Sequence, residues 1–331
     1  MKKFLLLFIL CIAVAGITAL AAGEETADEI VMIPDVIDRV VDPEAEAWFD
    51  FPEDAKILHI WFPNVMNADE AILIYDGSVW LIDCGDERMG GRGAALLEKL
   101  GITKIDKLIN THPHHDHLNG LKATDKAAKV AELLFCFDEK NIRHAKSLKN
   151  YRNAVAYADK NDITVSSYEE GSVFAMGGGE VTLTCYANTE PKLDVNNRSA
   201  QIMVRYGKRS ILFMGDMEKP GQQDLLKRVQ AEELKADLLK YPHHGKSAMD
   251  DAFLEAVSPK AAIITNKKVE SWKGIKYLKK HGIPYYYTNV YRGKKCLYLH
   301  LMTDGEHWIV ERVVQDEVSG LRSQVSGDRD E

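Results

Sequence analysis

The segment Thr111-His112-Pro113-His114-His115-Asp116-His117 puts four metal-ligating side chains, His112, His114, Asp116 and His117, within six residues. It follows directly on the apolar pair Leu108-Ile109. An apolar run that stops at such a cluster reads as a strand ending in a loop that gathers its side chains into one pocket. His112 and His114, two residues apart, point the same way from an extended segment. Asp116 and His117 are adjacent and face different centres. The spacing therefore offers ligands to two metal ions. Imidazole and carboxylate donors without thiolate suit Zn²⁺, with Mn²⁺ or iron as alternatives. The plainer possibility is a solvated His-rich loop, and residues far downstream argue against it.

Ile211-Leu212-Phe213-Met214-Gly215-Asp216 is an apolar strand ending in Gly-Asp. The Asp216 carboxylate has two oxygens and can bridge two cations. Taken alone, it reads more simply as a turn residue capping the next helix. Leu238-Leu239-Lys240-Tyr241-Pro242-His243-His244-Gly245 repeats the logic of the first cluster: a strand ends and imidazoles follow at a tight turn. Three such loops in one chain favour a metal centre over three unrelated turns.

Lys2 and Lys3 precede an apolar stretch over 4–22 with the small-residue site Ala19-Leu20-Ala21. This predicts a signal peptide over 1–22 and a secreted or cell-surface protein; an uncleaved N-terminal anchor tethering the chain to a membrane is the alternative. Residues 23–55 are acidic and contain prolines, and read as a linker or arm. A domain is expected over 56–313 and a polar tail over 314–331. The formal net charge is −8, and falls to about −10 without Lys2 and Lys3. So acidic a chain is a poor generic binder of nucleic acid, and no stable nucleic-acid complex is expected. Cys84, Cys136, Cys185 and Cys296 form no C-x-x-C, and spacing alone does not pair them. Oligomeric state is not legible.

Strands are expected at 56–62, 71–75, 79–83, 107–110, 173–175, 180–186, 200–206, 210–214, 237–241, 261–265, 295–302 and 307–313. Helices are expected at 94–100, 144–160, 222–233, 250–257 and 272–281. Asp76-Gly77 and Gly207-Lys208 mark hairpin turns. The strands fall into two sets with helices between them, which predicts an α/β fold: an αββα sandwich of two mixed sheets with helices outside. Lys267, Lys268, Lys273, Lys276, Lys279 and Lys280 make a basic stretch that reads as a solvated helix face.

The three loops together resemble the metallo-β-lactamase superfamily over roughly 56–310. Within it they are similar to the hydrolase domain of ComEC-type competence proteins and their secreted stand-alone relatives. The matching stretches are Asn67-Ala68-Asp69-Glu70-Ala71-Ile72-Leu73-Ile74, Leu81-Ile82-Asp83-Cys84-Gly85, the His cluster through Gly120, Leu212-Phe213-Met214-Gly215-Asp216, and Tyr241-Pro242-His243-His244-Gly245-Lys246-Ser247, with 258–264 after it. The resemblance implies that His112 and His114 bind one metal. It implies that Asp116, His117 and His244 bind the other, with Asp216 bridging and Asp83 supporting from behind. The superfamily supplies another His to the first metal, and no His lies between His144 and His243. Asn197 resembles the Asn that ComEC-type domains carry there, so Asn197 or water is expected to complete that site. The ComEC-type Gly-Gln-Gly loop is replaced by Met66-Asn67-Ala68.

The expected activity is hydrolysis by a metal-held hydroxide, with two Zn²⁺ or Mn²⁺ ions as cofactors. Asp116, His243 and Lys246 are the expected catalytic side chains: Lys246 or Ser247 contacting phosphate, and metal-bound water or His243 returning a proton to the leaving group. His115 faces away or meets substrate. The expected substrate is a phosphodiester, small-molecule or polymeric, in nucleic acid or in a phosphorylated cell-surface polymer. A lactonase, thioesterase or β-lactamase, and a metal-binding surface protein without turnover, are the alternatives.

Overall fold

Strands such as Val79-Trp80-Leu81-Ile82 are apolar on both faces, so they need cover above and below. The computed structural model describes residues 36–40, 51–88, 90–187, 190–266, 270–291 and 294–314 and supplies that cover in four layers. The expected signal segment or anchor, the tail beyond 314, and Lys267 and Lys268 lie outside the described residues. Among those described, no helix is long and apolar enough to cross a membrane.

The first sheet runs in the order Val36–Val40, Trp308–Val314, Lys294–Thr303, Leu58–Pro63, Glu70–Tyr75, Ser78–Cys84, Lys107–Asn110, Glu132–Phe135, Thr164–Ser167, and Val290–Tyr291 pairs onto Lys294–Thr303. The second runs Val173–Met176, Val181–Tyr186, Gln201–Tyr206, Arg209–Phe213, Leu238–Lys240, Ala261–Ile264, Tyr285–Tyr287. Both are mixed. In the first, Ser78–Cys84 and the three strands after it along the sheet are parallel. In the second, Arg209–Phe213 and the three after it are parallel.

Alternate residues of the same strands face different layers. Ile60, Leu73, Ile82 and Ile109 meet Leu183, Ile202, Ile211 and Ile263 between the sheets. Leu81, Leu108 and Leu133 face outward onto Leu97, Leu121, Ala154 and Ala158 of the helices Gly90–Lys99, Leu121–Ala127 and Ala145–Lys160. On the far side Leu212, Leu239 and Ala262 meet Leu225, Phe253 and Leu278. Fully burying a Leu or Ile side chain stabilises by about 1.5–3 kcal/mol, so both faces of each sheet contribute to stability. This is the expected αββα sandwich.

Several elements differ from expectation. Part of the acidic arm, Val36–Val40, runs parallel to Trp308–Val314 at the sheet edge. The helix expected at 222–233 is two, Lys219–Arg228 and Ala231–Leu234, divided where Val229 takes an extended backbone. Strands Glu132–Phe135, Thr164–Ser167 and Tyr285–Tyr287 add to those expected, because four-residue or shorter runs carry little periodicity. His115–Leu118 is a helical turn, not plain loop. The four cysteines stand unpaired, three of them buried.

Candidate metal centre

The parallel strands of both sheets end at one edge, where open α/β sheets place their sites. Each strand end carries one part of the cluster. On Ser78–Cys84 the pairing slips between Glu70 and Ala71, so Asp83 bulges out with φ +57°. The bulge turns its carboxylate away from the ladder and onto the end of Lys107–Asn110. There Asp83 accepts from Asn110 Nδ2 (3.0 Å), Thr111 N (2.7 Å), Thr111 Oγ1 (2.7 Å) and His117 Nδ1 (2.7 Å). Gly215 has φ +51°, and a Cβ there would stand 2.8 Å from Ser199 Cβ, so only glycine brings Asp216 in this close. Asp216 N–H donates to Ser199 Oγ (3.2 Å).

His243 and His244 both take left-handed backbone, φ +49° and +52°. Each costs about 1–2 kcal/mol in an L-residue. The turn is anchored where His243 N–H donates to Gly215 O (3.0 Å), tying it to the Asp216 loop.

Each imidazole has one nitrogen held from behind and the other turned inward. His117 gives Nδ1 to Asp83, and its Nε2 lies 3.1 Å from Asp216 Oδ1. His244 Nδ1 lies 3.1 Å from Asp69 Oδ1, and its Nε2 lies 3.5 Å from both Asp216 Oδ1 and Asp116 Oδ2. His112 Nδ1 faces the Thr111 hydroxyl (3.2 Å), and its Nε2 lies 3.7 Å from Asp216 Oδ2. The His114 ring stands edge-on to His112, 4.7 Å between centroids.

The fit to metal is testable on atoms. Nε2 of His112, His117 and His244 and Oδ1 of Asp216 are buried without a hydrogen-bond partner. An unsatisfied buried polar group costs about 1–3 kcal/mol, and here four lie around one carboxylate, that of Asp216. Bonds of about 2.0–2.2 Å at tetrahedral angles put two ligands of one cation about 3.3–3.6 Å apart, and most separations above fall at or near that. One set is His112, His114 and Asp216; another is His117, Asp216 and His244, where Asp69 also lies within reach. Asp69 is nevertheless committed elsewhere: it accepts from Thr265 Oγ1, pairs with buried Lys240, and backs His244 Nδ1. We place it behind the imidazole and Asp116 in front.

Electrostatics agree. Burial holds the His112 pKa well below the ordinary imidazole value, and burial with the neighbouring His117 lowers that of His114 to about 4, so both are neutral donors. Burial also opposes charge on His117, but Asp216 and Asp83 outweigh it and raise its pKa. On His244, Asp69 and Asp216 likewise overcome burial. The carboxylate field thus favours positive charge at the Asp216 Oδ1 side, which a divalent cation satisfies.

Among the expected site residues, His112, His114, Asp116, His117, Asp216, His243 and His244 come together. Asn197 is a correction: its Oδ1 accepts from Gly221 N (3.0 Å) and its Nδ2 donates to Asp194 (3.0 Å), so the amide braces the chain around the Asp216 loop. Lys246 follows the His turn half-buried. The His115 side chain is exposed, 3.4 Å from Asp86. Sequence reasoning assigned no role to Asp69, Lys240, Thr265 or Glu218. Two signals were available: an acidic pair opening an apolar strand, and a lone lysine inside Leu238-Leu239-Lys240-Tyr241.

A family model described as the metallo-beta-lactamase superfamily matches residues 70–265. The chain is 26% identical over 189 residues to ComE operon protein 3 of Bacillus subtilis, covering 55% of this chain and 23% of that protein. It is 28% identical over 208 residues to Recombination protein 2 of Haemophilus influenzae, covering 61% and 23%. It therefore spans about a quarter of the length of these relatives. Among solved structures it is similar to the metallo-beta-lactamase fold protein YhfI from Bacillus subtilis, at 12% identity and a TM-score of 0.46 over 70% of this chain and 96% of that one. It is also similar to CmlA, a diiron beta-hydroxylase from Streptomyces venezuelae, at 12% identity and a TM-score of 0.44 over 77% and 55%.

Proposed function

The chain belongs to the metallo-beta-lactamase superfamily, and from that premise we propose that it is an exported two-metal phosphodiesterase. The observation that carries the reading is the Asp216 carboxylate, whose Oδ1 faces His117 and His244 while Oδ2 faces His112. We assign His112, His114 and Asp216 Oδ2 to one divalent cation, Zn²⁺ or Mn²⁺. We assign Asp116, His117, His244 and Asp216 Oδ1 to the second. Cations held there supply Lewis-acid polarisation and bring the pKa of water toward neutrality. A pair of cations sharing one carboxylate suits in-line displacement at phosphorus, whose attacking and leaving oxygens both carry charge.

The protein's side chains then orient and hold protons. Asp116 stands between the buried centre and the mouth, with Oδ2 toward His244 and Oδ1 3.6 Å from the exposed His115. Burial raises its pKa, but His244 and His117 outweigh that and hold it far below the usual carboxylate range, so it stays ionised, a weak base suited to a cation rather than to a proton. Asp83 and Asp69 fix the rings of His117 and His244 so that Nε2 faces inward. Lys246, half-buried and with its N–H on His243 O, is the residue we assign to a phosphate oxygen. The net charge of −8 favours small diesters over long nucleic acid, whose capture needs many cationic contacts. Export rests on Lys2, Lys3 and the apolar stretch over 4–22.

The test is hydrolysis of bis(p-nitrophenyl) phosphate, duplex DNA, a lactone and a β-lactam by protein stripped with chelator and reloaded. Diester hydrolysis that vanishes on stripping and returns with Zn²⁺ or Mn²⁺, and exceeds that of DNA per bond offered, is expected. Robust lactone or β-lactam hydrolysis with none on any diester overturns the substrate class. N-terminal sequencing of exported protein should find a start near Ala22; a full-length chain in the membrane overturns cleavage.

A further inference from the structure

We infer that His243 is the third imidazole of the first metal set; the inference rests on the two-metal reading above. Asp216 Oδ2 is flanked by two inward nitrogens, His112 Nε2 at 3.7 Å and His243 Nε2 at 3.6 Å. Both separations exceed a hydrogen bond and sit close to the spacing of ligands on one cation, about 3.3–3.6 Å. The far nitrogen of His243 is held as metal-binding imidazoles are held. Its Nδ1 lies 2.8 Å from Glu218 Oε1, a carboxylate on the loop just after Asp216. Donating that proton to Glu218 leaves the lone pair on Nε2, facing Oδ2.

The backbone gives a second, independent reason. His243 and His244 are sequence neighbours, yet their Nε2 atoms address opposite oxygens of Asp216: His244 meets Oδ1 and His243 meets Oδ2. Two consecutive left-handed residues achieve this, with φ/ψ of 49°/43° and 52°/22°. Strain of this kind persists where the surrounding structure enforces it, and here the His243 N–H to Gly215 O bond does so. One turn thus feeds both sets. The nearest rival is His144, whose ring is 5.9 Å from that of His114. Its Nδ1, however, meets Ser147 at the start of the helix Ala145–Lys160.

The experiment is equilibrium dialysis of stripped protein against Co²⁺ and, separately, Zn²⁺, with elemental analysis and the visible Co²⁺ spectrum as readouts. The variants are His243→Gly, which accepts the positive φ, together with Glu218→Gln and His144→Ala. Wild type is expected to hold two equivalents. His243→Gly should hold one, lose part of the Co²⁺ spectrum, and regain both when imidazole is added. Glu218→Gln should keep two equivalents but bind the weaker one about 10–100-fold less tightly. His144→Ala should match wild type. Two equivalents at wild-type affinity in His243→Gly, a loss that imidazole does not reverse, or a loss that follows His144 instead each overturns the assignment. Fewer than two equivalents in wild type refutes the two-metal reading itself, and this inference with it.

Discussion

The two oxygens of Asp216 look onto unlike surroundings. On the Oδ1 side the His117 and His244 side chains are fully buried, with Asp116 beside them. Both rings are backed by carboxylates, Asp83 and Asp69, which are themselves held by Thr111, Asn110, Thr265 and Lys240. On the Oδ2 side only His112 is fully buried. His243 is 20% exposed, and its backing carboxylate Glu218 is 34% exposed. Sets with similar donors therefore differ in preorganisation. The buried set draws support from both sheets, whereas the outer one hangs on Thr111 and a single surface carboxylate. An ordered ligand loses less freedom on binding, so the buried set is expected to hold its cation more tightly.

The largest effect expected is at the shared residue. Asp216→Asn should empty both sets and lower diester turnover by roughly 10³-fold or more, as loss of one member of a catalytic unit does. If one equivalent and near-normal turnover survive, the carboxylate does not join the two sides and the comparison fails.

The next effect separates the sides. Asp69→Asn, which removes the carboxylate behind His244 alone, should weaken one metal equivalent about 10–100-fold while the other binds as before. Equal weakening of both, read by isothermal titration calorimetry, would mean that the two sets share one support.

Chelator titration then ranks them directly. Metal should leave in two phases, the outer equivalent at about tenfold lower chelator concentration, with the diester activity lost in the first phase. A single phase would show that the difference in burial has no consequence for affinity.

The smallest effect tests Asn197. Asn197→Ala should cost about 1 kcal/mol of stability through its bonds to Gly221 and Asp194, and leave both metal equivalents bound. Loss of the outer equivalent in this variant, with the melting temperature unchanged, would return Asn197 to the metal set.

Much of this was legible beforehand, for identifiable reasons. The His cluster, Gly-Asp and His-His loops are local: each follows an apolar run that announces a strand, and the ligand types state their own chemistry. Two sets of strands with helices between them also announced the four layers. What stayed hidden was either short or non-local. Glu132–Phe135 and Thr164–Ser167 are too brief for periodicity to separate from loop. Asp69 and Lys240 are 171 residues apart and meet only because the two sheets end at the same edge. Asn197 carried the right residue type in the right place along the chain, but which partners take its amide is a matter of packing.

The sequence by itself determined the α/β sandwich, the superfamily and the loops that carry an inventory of candidate ligands, because side-chain chemistry and strand periodicity are written locally. The tertiary structure decided how that inventory is divided. Which oxygen of Asp216 each imidazole meets, which carboxylate backs it, and where His243 points depend on a bulge at Asp83 and two left-handed residues at 243 and 244. No residue pattern encodes those backbone angles alone. They hold because the packed sheets and the bonds across them outweigh the local strain.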